Sequence, residues 1–177
     1  MGVFTQNIAI DLGTTHSVVA SDTSDTRLLK RIPSVVAKRI DSSGLMAFGE
    51  EARRFSGRRE SEIEVIPPLQ AGVISRFDLI EHYLDYLIGA EVEPSFHWDR
   101  NLYLCAPWGS SAVELQSYLH AYEGPRTTIH LIREPFAAAV GAGLEILSKN
   151  PVTIMDIGGG TTEIATIAHG HIQAADT

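Results

Sequence analysis

Apolar residues along the chain are grouped in short segments of strand length, which polar or glycine-containing turns separate. Two such runs, Asn7–Leu12 and His16–Ala20, flank the turn Gly13–Thr15 and predict a β-hairpin with an aspartate at its bend. The arrangement returns later in the chain, where Val152–Asp156 and Thr161–Ile167 flank a glycine-rich turn. The pattern therefore predicts two hairpins of similar composition, each with an aspartate next to its turn.

Helical periodicity stands out in the middle of the chain. Across Phe77–Ile88 apolar residues recur every three or four positions, which predicts an amphipathic helix. Ser75 and Asp78 fit an N-cap followed by an acidic residue at the third position, so we expect this helix to begin at Ser75. Ser111 and Glu114 have the same spacing and predict a second capped helix.

The remaining elements alternate between strands and helices. Pro135 stands where the first turn of a helix accepts proline, and it opens a run of small side chains. Further segments are predicted as strands over Pro33–Lys38, Leu45–Phe48, Leu102–Ala106 and Thr128–Ile132, and as a short helix over Gly49–Phe55. This alternation indicates an α/β fold, with a domain boundary expected at Ser148–Pro151, where the last helix stops.

Composition and charge narrow the classes of function that the chain can have. With 14 Lys plus Arg against 22 Asp plus Glu, the net charge is −8, the wrong sign for binding nucleic acid by phosphate neutralisation. The chain carries no apolar run of ~18 residues and no signal peptide, so we expect it in the cytoplasm. The only cysteine, Cys105, rules out an internal disulfide and a cysteine-based zinc site. His169 and His171 lack a visible third ligand and are set aside as a metal site.

The two glycine turns are the strongest candidates for chemistry. Glycine lets the backbone approach a ligand and turns successive N–H groups toward one concavity, which binds phosphate without lysine. Asp11 and Asp156 would repel phosphate unless a divalent cation lay between them, and Mg²⁺ takes carboxylates, waters and phosphate oxygens. Each turn alone is explained as well by a tight hairpin. Together they indicate a Mg²⁺–nucleotide site.

Three motifs in the chain resemble, in order, the phosphate-1, connect-1 and phosphate-2 motifs of the actin-like ATPase superfamily. They are Ile10–Thr15, Glu134–Ala139 and Met155–Glu163. Four more segments resemble MreB, the bacterial actin that guides cell-wall growth: Pro33–Ala37, Gly49–Ala52, Val65–Ile74 and Leu131–Pro135. The resemblance implies an actin-like, ribonuclease H-like α/β fold and an ATP-binding, filament-forming protein involved in cell shape.

The resemblance also implies roles for individual residues. Asp11 would face Mg²⁺ through water, Asp156 would share the metal, and Glu134 would orient the attacking water, although Glu134 also fits a carboxylate at a helix N-terminus. The ATP phosphates would be held by Gly13, Thr14, Thr15, His16, Gly158, Gly159, Gly160, Thr161 and Thr162. His16 replaces the asparagine usual in relatives and could equally have only a packing role.

The resemblance covers about half of a family member. It implies domain I over residues 1–150, with a small subdomain inserted at about 32–72, and the start of a truncated domain II over residues 151–177. Such a form is expected to be impaired in ATP hydrolysis. Two alternatives remain open: a fragment of a DnaK-like chaperone ATPase, and a non-catalytic half-actin module that modulates a full-length filament.

The expected partners are further copies of the chain or a full-length homologue. Phe96 and Trp98 lie where some MreB relatives insert hydrophobic residues into the membrane, which would place the protein at the inner face of the cell membrane. Acidic residues nearby favour instead a partly buried aromatic pair.

Overall fold

The computed structural model describes residues 5–22, 29–41, 44–57, 62–91 and 99–177. Its helices are α1 (Gly49–Arg53), α2 (Phe77–Glu91), α3 (Ala112–Leu119) and α4 (Glu134–Gly141). Its strands are β1 (Thr5–Leu12), β2 (His16–Ser21), β3 (Lys30–Pro33), β4 (Val36–Arg39), β5 (Leu45–Phe48), β6 (Ile63–Ile66), β7 (Leu69–Gln70), β8 (Val73–Ile74), β9 (Asp99–Ala106), β10 (Thr127–Arg133), β11 (Val152–Ile157), β12 (Thr162–Ala168) and β13 (His171–Asp176). The predicted α/β fold is confirmed.

The largest sheet has the strand order β10–β9–β1–β2–β3. Strand β9 lies parallel to β1 and β10, whereas β2 runs antiparallel to β1 and β3. The first predicted hairpin is therefore confirmed as β1 and β2. Because parallel strands end at the same edge of a sheet, Asp11 near the end of β1 and Glu134 directly after β10 are brought to one edge.

Helix α2 packs against this sheet in one hydrophobic core. The residues whose spacing predicted the helix are mostly buried: Leu79, Ile80, Tyr83, Leu84, Leu87 and Ile88. Residues of β1 and β9 meet them in the same core, among them Ile8, Ile10, Leu102 and Leu104. Burial of each such side chain stabilises the fold by roughly 1.5–3 kcal/mol. This packing therefore supports the strands that carry Asp11 and Glu134.

The start of α2 differs from the prediction. The Ser75 hydroxyl does not cap the helix but donates to the carbonyl oxygen of Pro68 at 3.2 Å. The carbonyl of Arg76 accepts from Ile80 N at 3.1 Å, so the helical hydrogen bonds begin one residue later. Ser75 N also donates to the Pro68 carbonyl at 3.0 Å, so Ser75 is bonded to the segment before β7 and stands one residue outside the helix.

The single strand predicted over Pro33–Lys38 is split between two sheets. Strand β3 ends at Pro33 on the edge of the large sheet, and β4 begins at Val36 between β5 and β6. At the break, Val35 N donates to the Pro33 carbonyl at 2.9 Å and turns the chain. The break places Ser34 beside the first glycine turn.

A third sheet, of order β11–β12–β13, contains the second predicted hairpin. Strand β13 was not predicted; it follows a turn in which His169 and Gly170 have φ of 51° and 71°. One face of this sheet leaves Met155 and Ile157 exposed at 57% and 74%.

Helix α3 begins at the predicted capping box. Ser111 Oγ accepts from Glu114 N at 3.3 Å, and the Glu114 carboxylate accepts from Ser111 N at 2.6 Å. We expect Ser111→Ala to lower the free energy of unfolding by about 1 kcal/mol, because the Glu114 N–H loses its fixed acceptor. Urea denaturation measures the loss. Ser117→Ala, on the exposed part of the same helix, is the matched control, and an equal loss in both variants would contradict the capping role.

Candidate functional site

The two glycine turns face each other across a cavity of about 440 Å³. The predicted site residues that line it are Asp11, Gly13, Thr14, Thr15, His16, Glu134, Asp156, Gly158, Gly159, Gly160 and Thr161. Thr162 does not line the cavity. It opens β12 as an exposed residue, and because side chains alternate along a strand, its neighbours Thr161 and Glu163 line the cavity instead.

The first turn is fixed by hydrogen bonds from the segments around β3 and β8. Ser34 Oγ donates to the Gly13 carbonyl at 2.6 Å, and Ser34 N donates to the Thr15 carbonyl at 3.0 Å. On the opposite side, Gly72 N donates to Thr14 Oγ1 at 3.1 Å. Both carbonyls are therefore occupied within the protein.

Ser34 belongs to a buried set of hydroxyls below the first turn. Its Oγ lies 3.0 Å from Ser17 Oγ, and the Tyr83 hydroxyl oxygen lies 3.2 Å from Ser17 Oγ and 3.1 Å from the Pro33 carbonyl oxygen. Ser17, Ser34 and Tyr83 are all 0% exposed. Polar groups in such a place need these partners, so the network holds helix α2, β2 and the turn in one arrangement.

The second turn approaches the first so closely that only glycine fits. A Cβ on Gly159 would overlap the Thr15 side chain, and a Cβ on Gly160 would lie 2.5 Å from Thr14 Oγ1. Gly158 N donates to the Thr161 carbonyl at 2.9 Å and closes this turn. The glycines thus let the two turns come into contact, beside the cavity that both of them line.

Four carboxyl groups line the same cavity: Asp11, Glu134, Asp156 and Glu163. Burial, with the charge of Asp156, raises the pKa of Asp11 above its ordinary value. Burial, followed by the charges of Glu163, Asp11 and Asp156, raises the pKa of Glu134 to about 8. A cation between the carboxylates would relieve this repulsion.

The carboxylates of the cavity suit a Mg²⁺ ion whose remaining coordination positions are filled by oxygens of a bound ligand and by water. The described residues hold no cluster of three or more His, Cys, Asp or Glu side chains able to bind a metal by themselves. Mg²⁺ is typically held by one or two carboxylates together with waters and phosphate oxygens, and Asp11 and Asp156 supply that number. The cavity therefore suits a metal that arrives with a polyphosphate.

Sequence reasoning missed Glu163 and Arg31, which both line the cavity. Glu163 Oε1 accepts from Trp108 N at 2.7 Å, while its buried Oε2 has no hydrogen-bond partner among the described residues. Burial raises the pKa of this carboxyl. Its alternation with Thr161 along β12 was the signal that could have identified it.

Cys105 lies on β9 opposite Ile132 and is half-buried. Burial raises the pKa of its thiol to about 12, and the carboxylates of Asp11, Glu134 and Asp156 add to the rise. The thiol is therefore unreactive in the folded protein, as expected for a structural cysteine in a strand.

The raised pKa of Glu134 predicts a pH dependence of stability. Between its ordinary value of 4.5 and about 8, the folded chain keeps a proton that the unfolded chain loses, so this group lowers stability as pH rises through that window. Glu134→Gln should remove this contribution and gain stability relative to the parent chain as pH rises. Urea denaturation with EDTA from about pH 5 to pH 9 measures it. Glu145→Gln, exposed and outside the cavity, is the control; parallel profiles for Glu134→Gln and the parent would contradict the prediction.

The proposed membrane contact cannot be placed, since Phe96 and Trp98 lie outside the described residues. Within the described ranges, none of the helices combines the length and the apolar character needed to cross a bilayer.

Comparison with known proteins gives one consistent family. The profile of the MreB/Mbl protein family matches residues 5–177. The cell shape-determining protein Mbl of Bacillus cereus is 37% identical over 176 residues, covering 99% of this chain and 52% of that protein. The cell shape-determining protein MreB of Escherichia coli is 34% identical over 173 residues, covering 94% of this chain and 49% of that protein.

Solved structures agree with this result. MreB5 of Spiroplasma citri bound to AMPPNP superposes with a TM-score of 0.84 at 25% identity, covering 97% of this chain and 51% of that one. The MamK double helical filament gives a TM-score of 0.75 at 25% identity, covering 91% of this chain and 49% of that one. The chain spans about half the length of these relatives. Its sequence and its actin-like fold both show that it belongs to the MreB/Mbl family.

Proposed function

We propose that this chain binds ATP with Mg²⁺ in the cavity between the two glycine turns, as part of an MreB-type cell-shape filament. The observation that carries the proposal is the direct approach of Gly159 and Gly160 to Thr15 and Thr14, with a carboxylate beside each turn. The MreB5 structures, solved with AMPPNP and with ADP, support a nucleotide as the ligand.

Each group in the cavity has a definite task in this proposal. The backbone N–H groups of Gly13–Thr15 and Gly159–Thr161 would donate to phosphate oxygens, with His16 at the end of the first turn and the Gly158 N–H closing the second turn. Asp11 would face Mg²⁺ through water and Asp156 would share the metal, whose charge would neutralise that of the phosphates. Because phosphoryl transfer needs positioning and electrostatic stabilisation more than covalent chemistry, this set is sufficient to bind and orient the phosphates.

Glu134 is proposed as the group that orients the attacking water. It lies at the carboxyl end of β10, in the cavity, as the first residue of α4. Burial and the neighbouring carboxylates raise its pKa, so it takes up a proton more readily than a free glutamate does. Its role as a carboxylate at the helix N-terminus is compatible with this task, since one carboxylate has two oxygens to offer.

Assembly and location belong to the same proposal. The MamK filament and the cell shape-determining relatives support polymerisation with further copies or with a full-length homologue. Such a filament lies in the cytoplasm, with Phe96 and Trp98 as candidates for contact with the inner face of the membrane. We propose domain I over residues 1–150, with its inserted subdomain at about 32–72, and the start of domain II over residues 151–177.

Calorimetric titration tests the nucleotide site. ATP and ADP should bind in the presence of Mg²⁺, whereas adenosine, which lacks phosphates, should bind much more weakly. Circular dichroism of the same sample shows that the chain is folded. A folded chain that binds no nucleotide but pellets with filaments of a full-length homologue would replace the proposal by a non-catalytic binding module.

A further inference from the structure

The cavity has an unusual balance of charge for a site that takes phosphates. Four carboxyl groups line it, and Arg31 is the one lysine or arginine among the described lining residues. Backbone N–H groups donate hydrogen bonds but carry no net charge. A bound polyphosphate would therefore meet a single side chain with a permanent positive charge.

The register of the large sheet puts Arg31 at the cavity. Arg31 on β3 lies opposite Val18 on β2, and both residues line the cavity. Two residues along β2, His16 directly follows the first glycine turn. The cation therefore stands on a strand of the sheet, next to the turn that is proposed to hold phosphate.

His16 orients the Arg31 side chain. Arg31 Nη2 lies 3.3 Å from His16 Nδ1. Partial burial and the positive charges of Arg31 and Arg53 lower the pKa of His16 below its ordinary 6.5, so the imidazole is neutral at pH 7 and Nδ1 accepts from the guanidinium. Only one of the five guanidinium N–H donors is used by this contact.

Arg31 also differs from other arginines of the described segments in its charge partners. Three of them form ion pairs with carboxylates: Arg53 with Glu50, Arg76 with Asp78 and Arg126 with Asp99. Arg31 forms no such pair within the described ranges. Its charge is not neutralised by a neighbouring side chain there, although four carboxyl groups share the cavity with it.

We propose that Arg31, held by His16, is the phosphate-binding cation of the cavity and sets its preference for nucleotides with more phosphates. The inference rests on the proposed nucleotide site. A guanidinium can bind two phosphate oxygens at once, and its attraction to the ligand grows with each negative charge that the ligand adds. The carboxylates repel the ligand more strongly as its negative charge grows. Arg31 would thereby offset the acidic lining without occupying the metal position.

The test compares Arg31→Ala, Arg31→Lys and the parent chain. Each is titrated with ATP, ADP and tripolyphosphate, with Mg²⁺ and again with EDTA. Arg31→Ala should weaken ATP binding about tenfold, lower tripolyphosphate binding in parallel and reduce the ratio of ATP to ADP affinity. Arg31→Lys should recover part of the loss, because it restores the charge without the planar fork. Arg39→Ala, an exposed arginine on β4 outside the cavity, removes the same charge and should change nothing.

The outcomes separate this inference from the proposed function. If the parent chain binds ATP and Arg31→Ala binds it equally well, the inference is wrong and the nucleotide site stands. If the parent binds tripolyphosphate through Arg31 but not ATP, the phosphate-binding role stands and the nucleotide function fails. If the folded parent binds neither ligand, both are wrong.

Discussion

Replacing Asp11 and Asp156 together by asparagine should weaken Mg²⁺-dependent ATP binding by about tenfold to a hundredfold, the effect expected when the carboxylates around a metal lose their charge. The side chains keep their shape but lose the charges that hold the cation. Calorimetric titration with ATP at fixed Mg²⁺ measures the loss.

The same double variant has a second signature that a misfolded protein would not show. With EDTA present, two negative charges fewer line the cavity. ATP alone should therefore bind the variant at least as well as the parent chain, because repulsion of the phosphates is reduced. Asp41→Asn combined with Glu145→Gln removes the same charge from exposed positions outside the cavity and serves as the control. A variant that keeps the full effect of Mg²⁺ would refute the metal role of both aspartates.

Leu104→Ala should lower the free energy of unfolding by about 3 kcal/mol, the largest stability effect that we expect from a single substitution in this chain. Leu104 is 0% exposed on β9, the strand that lies between β1 and β10, and it pairs there with Ile10 and Leu131. Alanine would leave a cavity beside β9, and the strands cannot close it without breaking the hydrogen bonds between them. Urea denaturation followed by circular dichroism measures the change.

Leu147→Ala is the matched control for that substitution, because Leu147 is 75% exposed and should cost less than about 0.5 kcal/mol. If Leu104→Ala does not fold at all, Leu104→Val removes less volume and should give a measurable loss of about 1 kcal/mol. Equal midpoints for the Leu104 and Leu147 variants would show that β9 is not the centre of the core.

Local signals in the sequence predicted those parts of the fold whose cause is also local. The glycines of both turns, the box formed by Ser111 and Glu114, and the proline at the start of α4 are each confirmed where they were expected. In each case the residues that make the structure lie within a few positions of one another. The composition of the two turns already indicated that they share one site, and the family resemblance then implied the role of each residue there.

The errors arose where a distant partner decides the outcome. The hydroxyl of Ser75 bonds to Pro68, and the chain around Ser34 leaves one sheet for another because its hydrogen-bond partners lie in the first turn. In strand β13 the alternation of polar and apolar residues covers only His171–Ala174 and breaks at Ala175, so the pattern is too short to mark it. Arg31 reaches the cavity through the pairing of β3 with β2, and nothing in its own neighbourhood predicts that position.

The single thiol of this protein can report on the motion of its central sheet. Cys105 is the only cysteine, and its raised pKa keeps it in the weakly reactive thiol form while β9 is paired, so a thiol reagent should label it faster when the strand opens. Its labelling rate would then measure local opening beneath the phosphate turns, without any engineered probe. A ligand that binds to both turns should slow that rate, so the labelling rate of Cys105 would report whether the site is occupied.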